Sequence, residues 1–164
     1  GSPRVVGMHF FNPAHRMRLV EVVVGRATSD ATRVDAIGLC RVLDKEPIVV
    51  ADVAGFVTSR LGLLLGNEAI RIIAEGTATA ADVDTAMRLG YNHPMGPLEL
   101  ADLVGLDARL NNLRSVTDRM GRHEFAPPPL LVDLVEAGHL GRKTGRGFYA
   151  YDTDGNIVNG PRHG

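Results

Sequence analysis

The chain carries a single cysteine, Cys40, so no disulfide can close within it. A lone thiol suits a reducing compartment, and the expected setting is cytoplasmic. Long hydrophobic runs are absent as well. The most apolar stretch, Leu61-Gly62-Leu63-Leu64-Leu65-Gly66, is followed by Asn67, Glu68 and Arg71. It falls far short of the roughly 20 residues a bilayer-spanning helix needs, so neither a membrane partner nor a secretory leader is expected. Neither sign of charge is in excess. Lys and Arg number 18 against 19 Asp and Glu, a net charge of −1, and no nucleic-acid partner is expected. His15, His93, His123, His139 and His163 show no zinc-like spacing, so no metal is expected. Two motifs are missing: the Gly-x-Ser-x-Gly elbow of a hydrolase and the Gly-x-Gly-x-x-Gly turn that holds a dinucleotide. Gly145-Arg146-Gly147 stands alone near the end and opens no helical pattern.

What is present suits one domain, or one domain and a piece of another. The 164 residues, 45% apolar and 23% charged, can bury a core without staples. Gly1-Ser2 reads as a remnant of expression and is set aside. Arg4–Phe11 is a short apolar run broken by Asn12-Pro13, and Leu19–Val24 is a β-branched run stopped by Gly25. With seven residues between them, they can pair antiparallel. From Asp30 the pattern turns helical. Thr28, Ser29 or Asp30 is the candidate cap, Val34, Ile37 and Cys40 form the apolar stripe, and Glu46-Pro47 is the expected end. Ile48–Val50 reads as a third strand. Gly55 opens a helix running to about Glu75, with Gly76 as its stop. Further helices are expected between Thr79 and Gly90, from Pro97, from Asp107 to Gly121, and from Pro127-Pro128-Pro129 to Gly138. Gly145–Gly147 reads as a flexible turn, and Asp154-Gly155 as a hairpin. The fold class is mostly α: a small β-containing piece over residues 3–51, then a helical domain over residues 52–164.

Glu21 is out of place in Leu-Val-Glu-Val-Val-Val. Side chains alternate along a strand, so it shares a face with Leu19 and Val23. A carboxylate there is either solvated or paired. In the hairpin register where paired positions sum to 30, His9 lies directly opposite. Cross-strand Cβ atoms sit about 4.5–5.5 Å apart, within reach of an imidazole–carboxylate hydrogen bond. A slip of one residue would send the two to opposite faces. Histidine can take and return a proton near neutral pH, and a carboxylate on one ring nitrogen sets the tautomer and stabilises the imidazolium. A structural ion pair, or an exposed glutamate beside a core histidine, fits the same pattern.

Several blocks bear a resemblance. Gly7-Met8-His9-Phe10-Phe11-Asn12-Pro13, with Met17 and Leu19-Val20-Glu21-Val22-Val23, resembles the signature of L-3-hydroxyacyl-CoA dehydrogenases. So do Gly55–Arg60, Pro94–Asp102 with Gly105-Leu106-Asp107, and the closing Gly141–Tyr149. They follow the family's order across nearly the whole chain. The resemblance implies that His9 is the general base for a substrate 3-hydroxyl and Glu21 its orienter, in the interconversion of (S)-3-hydroxyacyl-CoA and 3-oxoacyl-CoA with NAD. It implies an acyl-CoA substrate of the short-chain, 3-hydroxybutyryl-CoA type, and a homodimer formed through the helical domain, where Gly62-x-x-x-Gly66 would let helices approach closely.

Substrate contacts are expected from Ser59, Asn12, Pro13, Gly96 and Pro97. Ser59 departs from the family, which usually carries asparagine there; its hydroxyl is a shorter donor, and starting the helix is an equal reading. Asn12-Pro13 is equally ordinary turn chemistry, and Gly96-Pro97 equally a helix start whose backbone amides are free to meet a polar group. Arg142, Lys143 and Arg146 could touch a phosphate, but read better as a solvated turn. Residues 3–51 would be the last strands and a helix of a Rossmann-like sheet whose cofactor-binding residues lie upstream of residue 1. The chain is thus expected to be truncated and inactive alone, with no NAD bound. The alternatives are a non-catalytic helical dimerisation module and a related dehydrogenase of free hydroxy or sugar acids.

Overall fold

The β-branched runs form a three-stranded sheet in a computed structural model that describes residues 1–158. Strands β1 (Gly7–Phe10), β2 (Leu19–Val24) and β3 (Glu46–Ala51) lie in that order. β1 and β2 are antiparallel, with Gly7 opposite Val23 and His9 opposite Glu21, the register in which positions sum to 30. β2 and β3 run parallel, so the chain must cross over between them, and helix α1 (Asp30–Val42) makes that crossover. Ser29 caps α1, its side chain accepting the N–H of Thr32.

Two expectations for this segment are corrected. The buried stripe of α1 is Ala36 and Cys40, packed on Val20 and Val22, whereas Val34 is 60% exposed. Spacing of four residues sets that face, and small side chains let the helix sit close to the sheet. Glu46-Pro47 does not end the helix; it begins β3. The helix has already stopped at Leu43, and Asp44 turns the chain at φ 53°. Proline is tolerated because β3 is an edge strand. The N–H groups of Glu46 and Asp52 point at β2, so by alternation the nitrogen of Pro47 faces the outer edge, where no ladder bond is lost.

The chain divides into two compact units, the first Gly1–Arg60 and the second from Leu61 onward. Helix α2 (Thr58–Ala74) begins at the end of the first unit. It starts three residues later than Gly55, because Gly55 and Phe56 both have left-handed backbones, φ 74° and 43°. The helices α3 (Ala80–Gly90), α4 (Pro97–Val104), α5 (Leu106–Met120) and α6 (Pro129–Glu136) follow. Thr79 caps α3, Pro97 opens α4, and Gly121 ends α5 in the left-handed region, as their sequence signals predict. Asp107 is no cap: it lies inside the first turn of α5, behind Gly105. The core of this unit gathers Ile70, Leu98, Leu106, Leu113, Phe125 and Leu131, all inaccessible to solvent.

Two buried carboxylates fasten that core. Asp84 of α3 accepts the N–H groups of Leu98 and Glu99 at 2.8 and 2.9 Å, and the Tyr149 hydroxyl at 2.8 Å. Asp102 of α4 accepts the N–H groups of Phe148 and Tyr149 and the Tyr151 hydroxyl. The segment at Gly145–Gly147 is therefore held, not flexible. Arg146 bridges to Gly141 and Ala150, and a Cβ on Gly147 would overlap the Asp102 carboxylate. Around Asp154-Gly155 the backbone folds back on itself as the hairpin signal predicts, with Asp152 N–H donating to Asn156 O, Val158 N–H to Ala150 O, and an antiparallel bridge between Tyr151 and Ile157. The Asp152 carboxylate accepts the N–H groups of Asp154 and Asn156, so the turn closes on a side chain. No helix among the described residues is long and apolar enough to cross a membrane.

Candidate active site

Glu21 is fully buried, and an isolated ionised carboxylate in such a place would be strongly disfavoured. Four donors compensate. Oε1 accepts the backbone N–H groups of Val57 and Thr58, at 3.2 and 3.0 Å. Oε2 accepts from His9 Nδ1 at 2.7 Å and from the Thr58 hydroxyl at 3.1 Å. The two N–H groups belong to the start of α2, whose first turn carries no acidic residue of its own. Glu21 thus supplies, from a neighbouring strand, the negative charge and the acceptor that a helix N-terminus favours. Burial pushes the carboxyl up, but the bonds from Thr58 N–H, His9, Val57 N–H and the Thr58 hydroxyl together outweigh it and hold it below the ordinary range.

His9 is the exposed half of the pair, its side chain 38% accessible against 0% for Glu21. An ionised carboxylate only accepts, so Nδ1 carries the proton and donates it to Oε2. The neutral ring then presents Nε2 as a basic lone pair. The rings of Phe11 and Phe56 flank the imidazole, with centroids 4.8 and 5.7 Å away. A cavity of about 730 Å³ reaches His9, lined also by Val6, Met8, Arg26, Asp52 and Phe56 among others.

The remaining sequence candidates fall into two groups. Asn12, Pro13 and Ser59 lie in the first unit with the pair. Asn12-Pro13 directly follows β1, and Ser59 is half-buried in the first turn of α2. Gly96 and Pro97 belong to the second unit and are buried. The amides that follow them meet a polar group, as the helix-start reading expects, and that group is Asp84, which holds both Leu98 and Glu99. Gly96 is glycine for a packing reason: a Cβ there would overlap Asp84. Of the basic cluster, Lys143 pairs with Asp107 at 2.6 Å, and Arg142 lies 3.6 Å from Glu99. Gly66 seats the Arg109 guanidinium, so this half of the small-residue pair serves packing within the chain. Thr58, Phe11 and Phe56 were not singled out by sequence. The available signal was a helix start lacking an acid or a cap of its own.

The chain holds no Gly-x-Gly-x-x-Gly turn of the kind that cradles a dinucleotide. In the turn from β2 to α1, Gly25–Ser29, three amides are engaged: Gly25 N–H by the Thr28 hydroxyl, Thr28 N–H by Gly25 O and Ser29 N–H by Pro3 O. Among the described residues, no group of three or more His, Cys, Asp or Glu side chains could hold a metal ion; His163 lies outside them.

A short α/β sheet followed by an all-helical unit defines the fold class. Residues 55–151 match the model of the 3-hydroxyacyl-CoA dehydrogenase C-terminal domain, and residues 1–53 that of the family's NAD binding domain. The chain belongs to the 3-hydroxyacyl-CoA dehydrogenase family. It is 47% identical to a probable 3-hydroxybutyryl-CoA dehydrogenase of Bacillus subtilis, over 91% of this chain and 52% of the relative. With the 3-hydroxybutyryl-CoA dehydrogenase of Clostridioides difficile the identity is 44%, over 91% and 53%. The crystal structure of (S)-3-hydroxybutyryl-CoA dehydrogenase from Ralstonia eutropha superposes with a TM-score of 0.89 at 43% identity, covering 92% of this chain and 53% of that one. The chain spans about half the length of the curated relatives it matches.

Proposed function

We propose that this chain is the acid–base part of an NAD-dependent 3-hydroxyacyl-CoA dehydrogenase, with His9 as general base and Glu21 as its orienter. The observation that carries the reading is the 2.7 Å contact of His9 Nδ1 with a buried Glu21 whose other acceptor sites are filled. That contact fixes one tautomer and turns Nε2 toward proton exchange. His9 takes the proton from the 3-hydroxyl of an (S)-3-hydroxyacyl-CoA, and returns it when a 3-oxoacyl-CoA is reduced. The buried carboxylate stabilises the imidazolium formed in between. NAD is the co-substrate of that reaction and is held by residues outside this chain, so the chain alone is inactive.

Ser59, Asn12 and Pro13 are proposed to border the acyl-thioester, with Ser59 Oγ as a hydrogen-bond donor. Gly96 and Pro97 are proposed to contribute as the fixed start of α4. The relatives' names support a short-chain substrate. A homodimer through the helical unit is the proposed assembly, supported by Leu100, Leu103 and Val104, apolar and exposed on α4; light scattering at micromolar concentration is expected to give a dimer, and a monomer would contradict it.

The test of the activity has two arms. The isolated chain is expected to turn over no acetoacetyl-CoA with NADH, and turnover near that of a full-length relative would refute its inactivity. In the full-length enzyme, His9→Gln is expected to lower kcat by roughly 10²–10⁴-fold. Unchanged turnover in that variant would end the acid–base reading.

A further inference from the structure

We infer that Thr58 is a positioning residue of the His9–Glu21 pair, its hydroxyl holding the very carboxylate oxygen that His9 uses. The inference rests on the acid–base reading of that pair and adds a third member to it. An ionised carboxylate offers about four acceptor sites, two on each oxygen. Here Oε1 has two backbone donors and Oε2 has His9 and Thr58. The terminal torsion of glutamate is soft and broad. The backbone donors hold Oε1 alone; among the described residues, the Thr58 hydroxyl is the only donor other than His9 that holds Oε2.

The position of Thr58 explains why its hydroxyl is available. Within a helix, a threonine hydroxyl commonly turns back to a carbonyl of the preceding turn. Thr58 is the first residue of α2, so no preceding helical turn exists, and the hydroxyl donates to Glu21 instead. Its backbone N–H serves the other oxygen of the same carboxylate. One residue therefore grips both oxygens, and the imidazole takes its orientation from a carboxylate that cannot rotate. A β-branched residue without a hydroxyl would fill the same volume and leave one acceptor site of a fully buried carboxylate empty.

The test uses the chain itself, labelled for NMR, and compares Thr58→Val, Thr58→Ala and Thr58→Ser. Circular dichroism establishes that each variant is folded. Loss of one hydrogen-bond donor is expected to raise the titration midpoint of the Glu21 carboxyl carbon by about half to one pH unit in Thr58→Val and Thr58→Ala. Thr58→Ser, which keeps the hydroxyl, is expected to return it close to the unmodified value. Folded Val and Ala variants with an unmoved midpoint would overturn the inference, as would a serine variant that behaves like valine. A measurement on the unmodified chain needs no variant to fold: the Thr58 hydroxyl proton is expected to exchange slowly and to give an isotope shift at the Glu21 carboxyl carbon. A fast-exchanging hydroxyl without that shift would also overturn it. If His9→Gln leaves turnover of the full-length enzyme intact, the acid–base reading falls, while the effect of Thr58 on Glu21 is measured independently and stands.

Discussion

Asp102 accepts the backbone N–H of Tyr149 at 2.9 Å, so a fully buried carboxylate on α4 anchors a segment 47 residues further along the chain. Phe148 N–H and the Tyr151 hydroxyl complete its partners. Burial pushes this carboxyl up, against the hydrogen bonds from Tyr149, Phe148 and Tyr151, and the nearby Asp84 carboxylate adds to the rise.

Asp102→Ala would leave three donors without their acceptor. Each unsatisfied buried donor costs about 1–3 kcal/mol, so a loss of about 3 kcal/mol or more is expected in urea denaturation. Asp102→Asn keeps one acceptor oxygen and is expected to lose less. A loss in Asp102→Ala no larger than that of an ordinary surface substitution, about 0.5 kcal/mol, would contradict the anchoring role.

Glu21 gives the acid limb of stability a definite sign. Its folded-state carboxyl lies below the ordinary value of 4.5. Between the two values the unfolded chain binds more protons than the native one, so stability rises with pH there. The contribution is complete above about pH 4.5 and is lost as pH falls through the lower native value. The stability advantage of the unmodified chain over Glu21→Gln is therefore expected to shrink on acidification from pH 7 to about pH 3. Asp102 titrates in both chains and drops out of the comparison. Denaturation curves at several pH values measure the difference; a gap that widens on acidification would reverse the assignment.

Gly66 and Arg109 are coupled. The Arg109 guanidinium lies over Gly66 and donates to Gly62 O and Leu63 O at 3.3 and 2.9 Å. Burial lowers its proton affinity to about 10, and its Nε has no partner. Gly66→Ala places a methyl group where the guanidinium sits and is expected to cost about 1–3 kcal/mol. Arg109→Met removes a desolvated charge, so its cost is expected to stay near zero. The double variant should recover most of the loss from Gly66→Ala, a coupling read from a double-mutant cycle by chemical denaturation. Strict additivity would show that the two do not meet.

The strands and most helices were legible because their patterns are local. A β-branched run bounded by Gly25, and Thr79, Pro97 and Gly121 at helix ends, carry their meaning within a few residues. Glu21 was legible as a charge inside an apolar strand, and its meeting with His9 was legible as the outcome of one hairpin register among others. Its other partners were not, since Val57 and Thr58 lie 36 and 37 positions away. Asp84 and Asp102 carry no local signal of the partners they hold. Only the folded chain shows that amides and tyrosine hydroxyls from distant segments meet them. Pro47 was misread for the opposite reason: taken by a local rule as the end of a helix, it instead opens a strand on an outer edge.

That outer edge has a consequence for handling the protein. Pro47 removes a donor from the exposed side of β3, so a second chain cannot zip along it with a full ladder. The open side of β1 carries no such block over Gly7–Phe10, since glycine, methionine, histidine and phenylalanine all keep their amides. Sheet growth therefore has a direction. Unwanted association in concentrated samples would begin at β1, and a proline or a charged side chain introduced there is the place to suppress it.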